Sequence, residues 1–124
     1  MDSNDDHRMS CHVRVVLQNR WTATACVDSG ATFSMLSEQF YTAMGQDRPA
    51  LRASSILLHG AGGDDLSVTG QITSSVGVGR LVFEQDLLVG KLHGPDVLLG
   101  RDWLERNGVE LNFAKRTMTI HLPK

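Results

Sequence analysis

Long apolar runs are missing from this chain of 124 residues, in which no stretch approaches the roughly 20 consecutive apolar residues of a membrane-spanning helix. Cysteine is scarce: Cys11 and Cys26 are the only two, and they form no CxxC arrangement. The five histidines, His7, His12, His59, His93 and His121, are scattered without metal-ligand spacing. No metal centre and no cofactor are therefore expected. A large excess of charge of either sign is also lacking, with 12 basic against 14 acidic side chains and a formal net charge of −2. That balance leaves no electrostatic footprint for nucleic acid or an anionic membrane surface, so neither is an expected partner. The opening Met1-Asp2-Ser3-Asn4-Asp5-Asp6 is acidic, opposite to the basic start of a signal peptide, and an intracellular setting is expected. In that setting the two thiols read as buried and reduced, with a cross-strand disulfide as the alternative.

What is present suffices for one domain with one core, since 41% of the residues are hydrophobic. Residues 1–9 are polar and aperiodic and read as a disordered arm, leaving 10–124 as the domain. From Cys11 the pattern alternates: Val13, Val15 and Leu17 interleave with His12, Arg14 and Val16, Gln18-Asn19-Arg20 turns the chain, and Trp21 to Val27 returns. This predicts a β-hairpin that delivers Asp28 at its exit. Ser37 suits an N-cap, with Leu36 and Tyr41 as a hydrophobic staple and Gly45 closing a helix near Met44. Ile56-Leu57-Leu58 leads into the glycine-dense tip His59-Gly60-Ala61-Gly62-Gly63-Asp64-Asp65, which predicts a long hairpin returning through Val68 and Ile72. Strands are predicted at 72–78 and 81–89, with Gly77, Gly79 and Gly90 marking turns. A short buried strand Asp96-Val97-Leu98-Leu99-Gly100 follows, then a helix opened by an Asp102/Glu105 capping box and closed at Asn107-Gly108, and a last hairpin pairing 109–113 with 117–122. The fold class is all-β with two short helices.

Chemistry concentrates at Cys26-Val27-Asp28-Ser29-Gly30-Ala31, a carboxylate between an apolar strand and a small-residue turn. Asp, Ser and Gly are all turn formers, so the tripeptide alone equally describes a surface turn. The Gly60–Gly63 tip has its own plain explanation as a flexible turn, and it lacks the Lys-Ser/Thr ending of a phosphate-binding loop. Leu98-Leu99-Gly100 alone is a buried strand with a turn. The ordered set discriminates.

Taken in order, Asp28-Ser29-Gly30-Ala31, the Gly60-Ala61-Gly62-Gly63 tip, Leu98-Leu99-Gly100-Arg101-Asp102 before a short helix and the closing Leu111-Asn112-Phe113 resemble the retroviral-type (retropepsin-like) aspartic proteases. The likeness spans roughly residues 11–122 and is greatest to the retrotransposon-type branch, given the helix after Ser37 and the extra terminal strand. It implies a closed β-barrel with one lobe per chain, acting as a homodimer on a peptide or polyprotein substrate. The chain contains one Asp-Ser/Thr-Gly element, so a twin subunit must supply the second aspartate. The resemblance assigns Asp28 the acid–base role, Ser29 the bracing of the paired loops and Gly30 the close backbone approach. Ala31 would keep the floor of the cleft shallow, Thr32 would stand at a substrate-binding position, and His59 and Gly60 to Gly63 would belong to a flap over the substrate. Cys26, Leu58, Val97 and Leu98 fall where the family lines its side-chain pockets, although core packing explains each nearly as well, and Asp96 lies near that rim. Thr32 departs from the viral pattern, in which an aspartate often pairs with the arginine after Leu-Leu-Gly. Arg101 thus needs another partner, with Asp102, another acidic side chain or backbone carbonyls as candidates. The leading expectation is a homodimeric aspartic endopeptidase that processes a retroelement-type polyprotein, in the cytoplasm or a retroelement-like particle. The alternatives are a catalytically silent dimerisation or peptide-binding module and an unrelated β-barrel with a fortuitous turn.

Overall fold

The structure, a computed structural model, describes residues 10–54, 68–112 and 114–121. Strand β1 (Ser10–Leu17) pairs antiparallel with β2 (Trp21–Asp28) through the predicted hairpin. Gln18 and Asn19 both take positive φ, the conformation that lets a tight turn follow the twist of its strands. Gln18 is held there by bonding into the neighbouring strand, its N donating to Ser75 O at 3.1 Å and its Oε1 accepting from Ser75 N at 3.2 Å. Next come β3 (Met35–Ser37) and helix α1 (Glu38–Ala43). Ser37 caps α1 as expected, its Oγ accepting from Phe40 N at 3.0 Å, and Gly45 sits at φ +77° where the helix stops.

Strands β4 (Val68–Val78) and β5 (Leu81–Gly90) form the longest ladder, joined at Gly79 with φ +59°. Gly79 alone of the three expected turn glycines occupies the turn; Gly77 lies within β4 and Gly90 ends β5, because the ladder runs to both. The tip from Ile56 to Asp65 lies outside the described residues. Strand β6 (Val97–Leu99) inserts between β2 and β3, parallel to the first and antiparallel to the second. The order β1-β2-β6-β3-β5-β4 closes into a barrel, which removes exposed sheet edges. Helix α2 (Arg101–Arg106) and the hairpin of β7 (Val109–Asn112) with β8 (Thr117–Ile120) complete the described chain.

Alternation places Val15, Leu17, Ala25, Val27, Leu36, Ile72, Val76, Leu87, Val89, Val97 and Leu99 inside the barrel, fully buried. Each of these Val, Leu and Ile side chains contributes roughly 1.5–3 kcal/mol through burial. Trp103 of α2 joins this core and meets Phe83 edge to face at 5.6 Å. In the last hairpin the half-buried Val109, Leu111, Met118 and Ile120 face the core while the residues between them face out. No helix among the described residues is long and apolar enough to cross a membrane.

One expected cap is corrected. Helix α2 begins at Arg101 with Gly100 as N-cap and no capping side chain, so the Asp102/Glu105 box does not form. The Asp102 carboxylate is drawn instead into tertiary hydrogen bonds. Cys11 stands opposite Val27 and Cys26 opposite His12, which turns the two thiols to opposite faces of the hairpin, unbridged. Both are half-buried, and burial raises the pKa of Cys11.

Candidate active site

Asp28 is the last residue of β2 and is only 4% exposed, a carboxylate held at the rim of the barrel. The turn behind it is braced locally, with Gly30 N donating to Asp28 Oδ1 at 2.8 Å and Ala31 N to Asp28 O at 3.1 Å. Ser29 and Ala31 are half-buried, while Gly30 and Thr32 are exposed. The first bond orients the carboxylate; the second sets the turn.

The chain just after β6 clamps this loop. Arg101 N donates to Ala31 O at 2.7 Å, Asp102 N to Thr32 O at 3.3 Å, and Gly100 N to Ser34 Oγ at 3.0 Å. A Cβ at Gly100 would lie 2.6 Å from Ala31 O, closer than a Cβ can approach, and a tight 3.0 Å from Phe33 backbone. Only glycine allows that contact. The Leu98-Leu99-Gly100 element therefore ends on glycine because the Asp28 loop packs on it.

Asp102 ties the loop to the rest of the fold. Its Oδ1 accepts from Ser34 Oγ at 2.6 Å and Trp103 N at 2.8 Å, and its Oδ2 from Ser34 N at 3.1 Å and Gln85 Nε2 at 3.2 Å. One carboxylate thus joins the segment after Asp28 to α2 and β5, by charge-assisted bonds that exceed neutral ones in strength. With Asp102 so engaged, Arg101 exposes its side chain, and no acidic side chain lies within ion-pair distance of it among the described residues. Of its expected partners, only a backbone carbonyl appears, and it is the main-chain N–H of Arg101 that meets it.

A row of side chains runs away from Asp28 on the outer face of the barrel. Register pairs Cys26 with Leu98, Leu98 with Met35, and Met35 with Leu88. Their strand neighbours Val27, Leu99, Leu36 and Leu87 point inward, so this set points outward, on the face that carries Asp28 two residues after Cys26. Cys26 and Leu98 are half-buried; Met35 and Leu88 are 2% and 4% exposed yet lie outside the core cluster. The structure thus joins two expected pocket residues, Cys26 and Leu98, and adds Met35 and Leu88, which no local pattern marks.

The other candidates divide. Val97 is fully buried and faces the barrel core, where packing accounts for it. Asp96 is half-buried at the start of β6, its Oδ2 accepting from Thr24 N at 3.3 Å and its main-chain O from Ser37 N at 2.8 Å. It ties the start of β6 to the middle of β2 and the end of β3 rather than standing free at a rim. Leu58, His59, Gly60, Ala61, Gly62 and Gly63 lie outside the described residues. Among the described residues no group of His, Cys, Asp and Glu could hold a metal ion.

Residues 13–106 match the family described as "gag-polyprotein putative aspartyl protease". The chain belongs to this family. Its fold is that of the retropepsin-like proteases, as three solved structures establish. EIAV protease complexed with the inhibitor HBY-793 aligns at TM-score 0.68 and 18% identity, over 85% of this chain and 94% of the other. The retroviral protease-like domain of Ddi1 from Leishmania major aligns at 0.69 and 19%, over 90% of each chain. A retropepsin-like aspartic protease from Rickettsia conorii aligns at 0.59 and 22%, over 90% of this chain and 81% of the other. No curated protein matches the sequence. Asp28, at the braced end of β2, lies within the matched residues.

Proposed function

We propose that this chain is one half of an aspartic endopeptidase, with residues 10–124 as its domain and Asp28 from each of two copies as the catalytic pair. The observation that carries the reading is a buried carboxylate on a turn clamped from behind, in a member of an aspartyl protease family. Peptide hydrolysis without a metal needs one group to take a proton from water while another gives one to the carbonyl oxygen. Two carboxylates sharing a proton do both, because at about 3 Å like charges resist joint ionisation. The ionised partner accepts the water proton as oxygen attacks carbon, and the neutral one protonates the carbonyl oxygen. Collapse of the tetrahedral species then returns a proton to the departing nitrogen. Asp28 supplies both partners, Ser29 braces the loop pair, Gly30 lets the backbone approach the substrate, Ala31 keeps the cleft floor shallow and Thr32 stands beside it on the substrate side. His59, Gly60, Ala61, Gly62 and Gly63 form the flap side, and Cys26, Leu58 and Leu98 the apolar wall. The family description further supports processing of a retroelement-type polyprotein.

Activity should therefore rise with the square of protein concentration below the dimer constant and follow a bell-shaped pH profile. Mass-spectrometric cleavage profiling of a peptide library, from acidic to neutral pH and across concentrations, reads both. A rate strictly proportional to concentration throughout, with the protein monomeric, would defeat the paired-aspartate scheme. The terminal hairpin is the proposed main interface, since β7 and β8 pair only with each other among the described residues. Deleting residues 1–9 should leave dimerisation intact; loss of dimer in sedimentation velocity would contradict this.

A second reading keeps the fold as a silent dimerisation or peptide-binding module. It is favoured by the glycine segment 60–63, which carries no aromatic residue to pack over a peptide. Saturable peptide binding without cleavage at any pH, by a demonstrated dimer, selects it.

A further inference from the structure

We infer that the turn after α1 carries a receptor for an acidic segment of another polypeptide, built on Arg48 and set apart from the Asp28 loop. Two arginines of this chain stack on aromatic rings. Arg20 lies over the Trp21 ring at 4.6 Å, and its Nη1 donates to Asp47 Oδ2 at 2.7 Å. Arg48 lies over the Tyr41 ring at 4.8 Å, and no acidic side chain stands within ion-pair distance of it among the described residues. The first stack is complete: ring, guanidinium and carboxylate. The second has the ring and the guanidinium and opens onto a cavity of about 420 Å³ lined by Tyr41, Gly45, Gln46, Arg48, Pro49 and Ala50. Strand β2 sets Trp21 and Asp28 seven residues apart, about 23 Å at 3.3 Å per residue, and the Arg20–Asp47 bond holds the turn at the Trp21 end. The cavity therefore lies at the far end of the barrel from Asp28.

The lining selects the chemistry. Tyr41 is 8% exposed and its hydroxyl donates to Pro49 O at 2.7 Å, so the ring is fixed. A guanidinium stacked on a fixed ring keeps its N–H edge in one plane, and that edge matches the two oxygens of a carboxylate. Capture then costs less side-chain freedom than at an unstacked arginine. Asp47 does not compete for Arg48, because Arg20 holds it. The Gln46 amide stands on the same wall as a second donor. A carboxylate alone does not fill the cavity, whose remaining walls are Tyr41, Pro49 and Ala50, with the exposed Leu51 next in sequence. The fit is to Glu or Asp beside an apolar residue of an extended chain. One open guanidinium, in a chain of net charge −2, offers too little for a nucleic-acid backbone. Arginine and tyrosine are also side chains in which binding energy at protein surfaces concentrates.

The test titrates the isotope-labelled full chain with acetyl-Glu-Leu-amide, acetyl-Gln-Leu-amide or inorganic phosphate and follows backbone amide and arginine Nε–Hε signals by NMR. The Glu probe should shift residues 41–50 and the Arg48 side chain, and should bind at least about tenfold tighter than the Gln probe or phosphate, the margin of one charge-assisted bidentate pair. Arg48→Gln, an exposed change whose fold is checked by thermal melting, should abolish the shifts. Arg48→Lys should restore only a fraction of the affinity, because an ammonium keeps the charge without the fork or the stack. Asp47→Asn frees Arg20 on the Trp21 ring and should add shifts at residues 20–21. Equal affinity for the Glu and Gln probes, shifts that survive Arg48→Gln, or full recovery by Arg48→Lys overturns the receptor. Phosphate binding as tightly as the Glu probe would make the site a general anion site, and an altered sedimentation coefficient in Arg48→Gln would make it a contact between copies of this chain; either result also overturns the assignment.

Discussion

Asp28→Asn is expected to reduce peptide cleavage by more than about 10³-fold while leaving the fold and dimer in place. The change removes both proton-transfer groups at once, because each copy supplies the same residue, and general acid–base catalysis alone is worth roughly 10²–10⁴-fold. Structural damage should be small. The bond from Gly30 N to Asp28 Oδ1 is kept by an asparagine oxygen, and the strand register from Ser10 to Asp28 depends on the main chain. Pairing two carboxylates across an axis is repulsive, so the variant dimer should be at least as tight as the parent. Thermal melting, sedimentation and cleavage of one peptide, measured on the same preparations, check the three parts. Retained cleavage by pure variant protein would remove Asp28 from the mechanism. Loss of cleavage with loss of the dimer would instead make Asp28 an interface residue.

The elements most legible in the sequence are those whose signal is local. The β1–β2 hairpin, the Ser37 cap, the Gly45 stop and the Asn107-Gly108 end of α2 all follow from alternation or from side chains that satisfy nearby backbone groups. The retropepsin-like family was legible too, because Asp28-Ser29-Gly30 and Leu98-Leu99-Gly100 stand in order with the right character around them. What failed was the assignment of Asp102 to a local cap. Its partners Ser34 and Gln85 lie 68 and 17 residues away, and no short-range rule can rank those bonds above a capping box. Met35 and Leu88 escaped notice for a related reason: each sits in an apolar stretch whose two faces the sequence does not distinguish. Only the register β6-β3-β5 shows that they point away from the core and towards the row beside Cys26. Val97 errs the other way, read as pocket and found inside, because a one-residue difference of phase in a three-residue strand decides the face.

Gly100→Ala is expected to destabilise the domain by about 1–3 kcal/mol and to depress cleavage more than that loss of folded protein explains. Backbone torsion is not the cause, since φ −99° and ψ −165° are extended values open to alanine. The cause is the added methyl, 2.6 Å from Ala31 O, in a place where backbone faces backbone and no flexible side chain can yield. Relief requires the Asp28 loop to move away from α2, which lengthens the bonds from Arg101 N to Ala31 O and from Gly100 N to Ser34 Oγ. Displacing the loop moves the carboxylate, and misplacement of about 1 Å can cost a factor near 10² in rate. Gly77→Ala is the matched control: the Cβ it adds in β4 would lie at ordinary contact distance, 3.5 Å from Val16 O, and should change urea stability and activity little. If the two alanine variants unfold at the same urea concentration and cleave equally, the Gly100 contact does not position the loop. If Gly100→Ala loses activity beyond its loss of stability while Gly77→Ala keeps both, the glycine after Leu98-Leu99 acts on the reaction through the placement of Asp28.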